Sequence, residues 1–292
     1  MAVIHPTAQV SPESELAESV EIGPYCILTG RVQLGAGVRL LSHVCIAGPV
    51  TIGAGTTVYP FACVGFPGQD VKFKPGDKTA GVVIGQNGIL REHATIHAAT
   101  NEATPTTVGD RVFMMVNAHL GHDTQVGNGV TMVNDAAIGG HARLYDNVTM
   151  GGGAKVHQFC RVGRMAFMAG NCVVSTEIPP FCIAAEFNRV AGINLVGLRR
   201  SGVPREEIAI VRKAFARAIR PGPGKVEMLA ILRELSPQSK LVAEMADFVA
   251  TAKRPITPGM GKPSRAMINF VQRSRRGEID PATVVDDEEQ WS

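Results

Sequence analysis

From Ile4 onward every sixth residue is aliphatic: Ile4, Val10, Leu16, Ile22, Leu28, Leu34, Leu40, Ile46, Ile52, Val58 and Val64. The register lapses at 65–83, returns as Ile84, Leu90 and Ile96, and lapses again. It resumes with Val108, Met114, Leu120, Val126, Met132, Ile138, Leu144, Met150, Val156, Val162, Met168 and Val174. A period of six fits neither a helix, at about 3.6 residues per turn, nor a strand that alternates every second residue. It fits a parallel β-helix whose coil has three sides and about 18 residues. The aliphatic of each side then points inward and stacks on its equivalent about 4.8 Å away. Each such burial contributes roughly 1.5–3 kcal/mol, enough for a rod to cohere without a conventional core. Glycine follows the aliphatic at Ile22-Gly23, Ile52-Gly53 and Val126-Gly127, where a tight corner leaves least room for a side chain.

Composition excludes several classes. The chain has 292 residues, 45% of them hydrophobic, yet no run approaches the roughly 18 unbroken apolar residues of a membrane span. The opening MAVIHPTAQVSPESE has neither a basic leader nor an apolar stretch, so a cytoplasmic protein is expected. Cysteines at 26, 45, 63, 160, 172 and 182 form no CxxC pair, which favours reduced, buried thiols over staples or a zinc knuckle. Cys26, Cys160 and Cys172 fall two residues before a hexad aliphatic, a position suited to small buried side chains. A net charge of +3 is too mild for a nucleic-acid binder but suits a positive patch that meets an acidic partner.

Hexads end at Val174, and the pattern turns helical from Pro204, which divides the chain into 1–203 and 204–292. PREEIAIVRKAFARAI, KVEMLAILREL and SKLVAEMADFVATA are each amphipathic at helical spacing and separated by Pro, Gly or Ser-Pro breaks. Arg212, Lys213, Arg217 and Arg220 lie within one of these helices, with Arg199, Arg200 and Arg205 just before it. After Arg254 a Pro/Gly/Lys stretch leads to a short helical candidate, RAMINFVQRSRRG, and an acidic tail, DDEEQWS.

Chemistry is expected where the repeat is interrupted or decorated. The inserts 65–83 and 97–107 must bulge from the prism as loops. The decoration is histidine: His119, His122, His141 and His157. A coil of about 18 residues stacks 121, 139 and 157 in one column, 122, 140 and 158 in the next, and 123, 141 and 159 in the third. His122, Gly140 and Gln158 therefore stack, with Asp123 beside His141 and a pocket near one prism edge. Such a set suits acyl transfer: a neutral histidine takes a proton from the attacking group, a carboxylate steadies the imidazolium, and the Gly140 backbone N–H faces a developing oxyanion.

Several segments carry a resemblance: HPTA near the start, GQDVKF, VNAHLGHD, GGGAKVHQFC, the IPPF turn and GINLVGLRR. With them, nearly the whole chain resembles the acyl-carrier-protein-dependent UDP-N-acetylglucosamine O-acyltransferases that begin lipid A synthesis. The resemblance implies a left-handed parallel β-helix followed by a C-terminal α-helical domain, assembled as a homotrimer with active sites between neighbours. It implies transfer of a 3-hydroxyacyl chain from acyl carrier protein to the 3-position of a UDP-N-acetylglucosamine-type sugar. No cofactor or metal is implied beyond the phosphopantetheine that carries the acyl group. His122 matches the general base, Asp123 its partner and Gly140 the oxyanion donor. Asp70 and Lys72 match residues that hold the sugar and its phosphates. His119, His141, His157 and Gln158 match the groove lining, and Asn194 and Arg200 match nucleotide-binding positions. Gly170 matches the residue that closes the acyl groove; with Gly152 one coil below it, an open slot and a chain of about 14 carbons are implied. The sequence departs from the family at Val196, where glutamate is common, at Ser201, where a second arginine is common, and at Glu186-Phe187-Asn188, where a glycine-asparagine pair is usual. FVQRSRRG resembles the family's ending, implying an insert of about 20 residues near 253–268 and an extension after 279.

Three other readings share the repeat. A coenzyme A-dependent hexapeptide acetyltransferase would have the rod and a catalytic histidine. A trimeric zinc carbonic anhydrase would use His119, His122 and His141 as ligands. A scaffold without activity would need none of them. Whether the attacked group is a 3-hydroxyl or a 3-amine stays open, because one histidine base serves either.

Overall fold

The computed structural model describes residues 1–74 and 76–259. Short strands, most of two or three residues, form three parallel sheets that make the sides of a prism. The first side begins at Val3–Ile4, the second at Gln9–Val10 and the third at Glu15–Leu16. Partners along a side lie one coil apart, as in Glu21↔Arg39, Ala137↔Lys155 and Arg143↔Arg161. The coil is left-handed.

The hexad aliphatics form the core ladder, with Leu28, Leu40, Ile46, Ile52, Ile84, Leu90, Ile96, Met114, Leu120, Met132 and Ile138 fully buried. The expectation fails at the first coil, where Ile4 is 44% exposed and Val10 and Leu16 only half-buried, because no coil lies above them. A second set of inward residues fills the corners two positions earlier, where Val44, Ala62, Ala118, Val130, Cys160 and Cys172 are buried. Burial pushes the Cys160 and Cys172 thiols up to about 11 and also raises Cys26, so these cysteines are packing atoms rather than nucleophiles.

Both inserts leave the prism at the corner between the second and third sides. Strands Cys63–Phe66 and Val82–Ile84 bracket the first, and Thr95–His97 and Thr106–Val108 bracket the second. The loops are thus 67–81 and 98–105, shorter at each end than the lapses in the hexad suggested. The strand residues keep pairing, as in Val82↔Val50 and Val82↔Thr106, even where the inward hexad position is lost.

Below Val174, strands Cys182–Ala185 and Arg189–Ile193 pair antiparallel, and buried Phe181 closes the prism. The turn between them holds Glu186 and Asn188 at φ 58° and 51°, and the Asn188 side chain accepts from the Ser175 N–H. Among the described residues four α-helices follow: α1 (Leu195–Arg200), α2 (Arg205–Ala214), α3 (Lys225–Leu235) and α4 (Lys240–Ala250). Helix α1 starts before Pro204, inside the segment read as prism from sequence. Its Asn194 cap begins the helix without the amphipathic length that marks the other three. At Phe215 α2 widens into a π-turn through Ile219.

Two arginines of the prism hold the helices against it. Arg161 pairs with buried Glu177 and also donates to Phe248 O and Thr251 Oγ1, with the Phe248 ring 4.3 Å beneath it. Arg164 forks onto Glu244 at 2.7 Å. Residues 1–259 form one compact unit. Among the described residues no helix is long and apolar enough to cross a membrane. The helical candidate at 265–277 and the acidic tail lie outside the described residues.

Candidate active site

Strand His119–Leu120 ends on the second side, and the chain turns the corner at Gly121–Thr124, held by the Thr124 hydroxyl donating to Gly121 O at 2.9 Å. Asp123 sits in the left-handed region at φ 59°, as do His141 at 60° and Phe159 at 64° one and two coils on. Corner turns stack through His141 N–H to His122 O at 2.9 Å and Phe159 N–H to Gly140 O at 3.0 Å. The columns read from the sequence are therefore real, and the backbone ladder fixes them.

His122 Nδ1 and Asp123 Oδ2 are 2.7 Å apart, with the two side chains only 12% and 5% exposed. His141 Nε2 is 3.6 Å from the same carboxylate oxygen, and its ring stacks on Phe159 at 4.5 Å. Further support for Asp123 comes from the second insert. Thr100 donates its hydroxyl at 2.7 Å and its N–H at 3.1 Å, and Asn101 Nδ2 donates at 2.7 Å. Burial pushes the Asp123 carboxyl up, but the Thr100 and His122 hydrogen bonds and the nearby His141 outweigh it and hold the group below its ordinary range. A carboxylate that accepts from His122 Nδ1 fixes the ring with Nε2 free to take a proton.

Nε2 points at Gly140. A side chain there would bring its Cβ to 2.5 Å from that nitrogen, while the Gly140 N–H makes no hydrogen bond among the described residues. On the other flank, a Cβ at Gly68 of the first insert would fall 2.8 Å from His122 Cβ. The imidazole is therefore packed between two glycines. It borders a cavity of about 340 Å³ lined by Gln69, His97, His119, Gly140, His157 and Gln158 among others. His119 bonds Thr95 Oγ1 through Nδ1 at 2.7 Å, and burial together with neighbouring His97 lowers its pKa.

The structure thus gathers His119, His122, Asp123, Gly140, His141, His157 and Gln158 around one corner. It does not bring Asp70 or Lys72 into the cavity: the Asp70 carboxylate accepts the Lys72 N–H at 2.9 Å, and the loop offers Gln69 instead. Asn194 and Arg200 lie on α1. The Asn194 side chain is occupied there, accepting from Gly197 N–H at 2.9 Å and donating to Met165 O at 2.8 Å, beyond the corner between the third and first sides. Val196 is 56% exposed, and the Ser201 hydroxyl donates to Leu198 O. Gly170 and Gly152 lie on the corner between the first and second sides, where a Cβ would come no closer than 3.5 Å to any atom and neither φ is positive. Gly170 is exposed and Gly152 half-buried, and neither is an obligatory turn.

Gln69, His97, Thr100 and Asn101 escaped the sequence reading. The only signal was their position in or beside the two inserts. The ligand-type atoms that gather within 4.8 Å among the described residues belong to His122, Asp123 and His141. His119 stands apart on Thr95, so the three histidines of the zinc reading are not the ones brought together.

A histidine steadied by a carboxylate, beside an unengaged backbone N–H on a hexapeptide prism, defines the class of hexapeptide-repeat acyltransferases. Comparison narrows the class. Residues 177–257 match the family model described as UDP N-acetylglucosamine O-acyltransferase, domain 2. The acyl-(acyl-carrier-protein)–UDP-N-acetylglucosamine O-acyltransferase of Thermodesulfovibrio yellowstonii is 39% identical over 258 residues, 88% of this chain and 99% of that one. Its counterpart in Paraburkholderia phymatum is 36% identical over 96% of this chain and all of its own. The solved UDP-N-acetylglucosamine acyltransferase of Francisella novicida superposes with a TM-score of 0.85 at 30% identity, over 98% of this chain and 99% of that one. The chain belongs to the acyl-(acyl-carrier-protein)–UDP-N-acetylglucosamine O-acyltransferase family.

Proposed function

We propose that the chain catalyses the first step of lipid A biosynthesis, moving a 3-hydroxyacyl group from acyl carrier protein to the 3-position of UDP-N-acetylglucosamine. The observation that carries this reading is the His122–Asp123 pair at 2.7 Å, with Nε2 against Gly140 at the wall of the cavity. His122 Nε2 takes the proton of the acceptor's 3-hydroxyl as its oxygen attacks the thioester carbonyl. Asp123, kept ionised chiefly by the Thr100 hydrogen bonds, stabilises the imidazolium. The Gly140 N–H holds the tetrahedral oxyanion. Collapse then breaks the C–S bond, and the proton on Nε2 passes to the departing thiolate of the carrier's phosphopantetheine. His119, kept neutral by burial, lines the groove with His157 and Gln158, while the first insert supplies Asp70 for the hydroxyls of the acceptor's sugar and Lys72 for its phosphates. The acyl chain extends toward Gly152 and Gly170.

The active assembly is a homotrimer. Supporting this, the outward residues of the second side include Ile27, Cys45, Cys63, Ala137 and Val173 beside Gln9, Thr95, His119 and Lys155, whereas the third side, Val83 apart, presents Glu15, Gln33, Thr51, Thr107, Gln125, Arg143 and Arg161. The adjoining corner exposes Tyr25 at 56% and Phe61 at 49% in one ring column with His43 and His93. A side with this many outward apolar residues, bordered by exposed rings, is covered by another copy, and cyclic closure lets Asn194 and Arg200 of a neighbour complete the nucleotide site. Sedimentation should give three copies per particle; a fully active monomer would refute this.

The assay of function supplies the purified protein with a panel of 3-hydroxyacyl carrier proteins and either UDP-N-acetylglucosamine or its 3-amino analogue, with products read by mass. An O-acylated product is expected. An N-acylated product alone would reassign the acceptor, and acetyl transfer from coenzyme A would displace the reading altogether.

A further inference from the structure

On the far side of the His141–Phe159 column lies a second and larger cavity, of about 820 Å³, between the third prism side and the end of α4. Arg143, Arg161, Lys253 and Arg254 line it, and Glu177 is the acidic residue among its walls. Arg143 and Arg161 are register partners on adjacent strands, an arrangement that repels unless each charge is answered. Arg161 is answered by Glu177 and by the carbonyl of Phe248. Arg143 is exposed and, with Lys253, takes part in no ion pair among the described residues. Arg254 leans over the Phe159 ring at 5.9 Å. Lys253 and Arg254 also open the stretch that family resemblance marks as an insert.

We propose that this groove is a phosphate subsite, and that its occupant is the phosphodiester of the carrier protein's prosthetic arm. The inference rests on the functional reading above. Guanidinium forks match phosphate oxygens, and a groove with this excess of cations on a half-enclosed wall attracts a compact anion. The side of approach selects the donor. His122 and Gly140 line a cavity that opens on the second side beside His97 and His119, and Gly152 and Gly170 lie at that side's far corner. A thioester at His122 with its chain on the second side has its arm leaving in the opposite direction, across His141 and Phe159, which form the rim of the cationic groove. The acceptor's phosphates, by contrast, belong with the first insert, which borders the other cavity through Gln69.

The test measures binding of 4′-phosphopantetheine and of pantetheine, which differ by the phosphate alone, to the full-length protein by titration calorimetry. This readout needs no turnover. The unsubstituted protein should prefer the phosphorylated compound, and Arg143→Gln and Arg254→Gln should each reduce that preference about tenfold. Arg143→Lys should recover part of it. A parallel kinetic arm with complete acyl carrier protein should show the same substitutions raising the donor KM and not the KM for UDP-N-acetylglucosamine. An unchanged preference in the variants overturns the subsite. So does a loss seen only with the complete carrier protein, which would mean docking of its acidic surface, and so does a rise in the sugar KM instead. Absence of acyl transfer in the unsubstituted protein would sink the functional reading while the calorimetric result still decided the groove.

Discussion

Replacing Gly140 with alanine adds a single methyl group at the point where the proposed chemistry is most crowded. Its Cβ would lie 2.5 Å from His122 Nε2 and 2.6 Å from Cε1. Ordinary contact begins near 3.4 Å, so the ring or the corner must yield by about 1 Å. The ring has little freedom: Gly68 backs its Cβ so closely that any side chain there would clash, and its Nδ1 is tied to Asp123 at 2.7 Å. Backbone conformation is not the obstacle, because Gly140 is not among the residues with positive φ. Displacing a base by about 1 Å lowers turnover by about 10²-fold, and a shifted Gly140 N–H adds to the loss. Steady-state kinetics with acyl carrier protein donor should therefore show kcat reduced by 10²-fold or more, about 2.7 kcal/mol, with the donor KM little changed. Gly224→Ala, remote from the site, is the control, since its Cβ would meet nothing within 4 Å and the rate should survive. A Gly140→Ala enzyme with at least half the normal kcat would refute both the direction of Nε2 and the role of the backbone donor.

Two further substitutions test the surroundings. Thr100→Val removes one hydroxyl bond to the ionised, 5% exposed Asp123. A bond to a charged group contributes about 1.5–3 kcal/mol, so stability should fall by that order near neutral pH in denaturant melts. Because the Asp123 carboxyl is held below its ordinary range, its contribution is complete above about pH 4 and is lost as pH falls through the folded value. The deficit of Thr100→Val should therefore shrink in strong acid, and Thr100→Ser should restore stability; a deficit constant at every pH would assign Thr100 a packing role only. Gly170→Met should fill the open surface and move donor preference to chains shorter by several carbons, each methylene being worth about 0.8 kcal/mol. An unshifted chain-length profile ends that assignment.

The prism was legible because a six-residue period leaves one solution, and the columns at 122/140 and 123/141 followed from coil length alone. Local spacing could not show which loop atoms reach the dyad. Thr100 and Asn101 meet Asp123 only because the second insert folds back across the corner. Gln69, rather than Asp70 or Lys72, borders the cavity for the same reason. Asn194 shows the complementary limit: as a helix cap and a tie to Met165 it has a structural task that a motif match does not reveal. The basic row on α2 is also less free than its sequence implies, since Arg217 forks onto Glu234 of α3 at 2.7 Å, a pairing set by helix packing. Arg212, Lys213 and Arg220 remain exposed.

Single-turnover acyl transfer by His122→Ala is the most direct measurement of all. His122 lies outside the aliphatic ladder, so the variant should fold and assemble as the parent does, as circular dichroism and sedimentation would verify. With saturating 3-hydroxyacyl carrier protein and UDP-N-acetylglucosamine, its chemical step should be slower by at least about 10²-fold, while His119→Ala and His141→Ala lose less. A His122→Ala enzyme that turned over at a near-normal rate, or one outpaced in its loss by either neighbour, would contradict the assignment of the base and with it the mechanism.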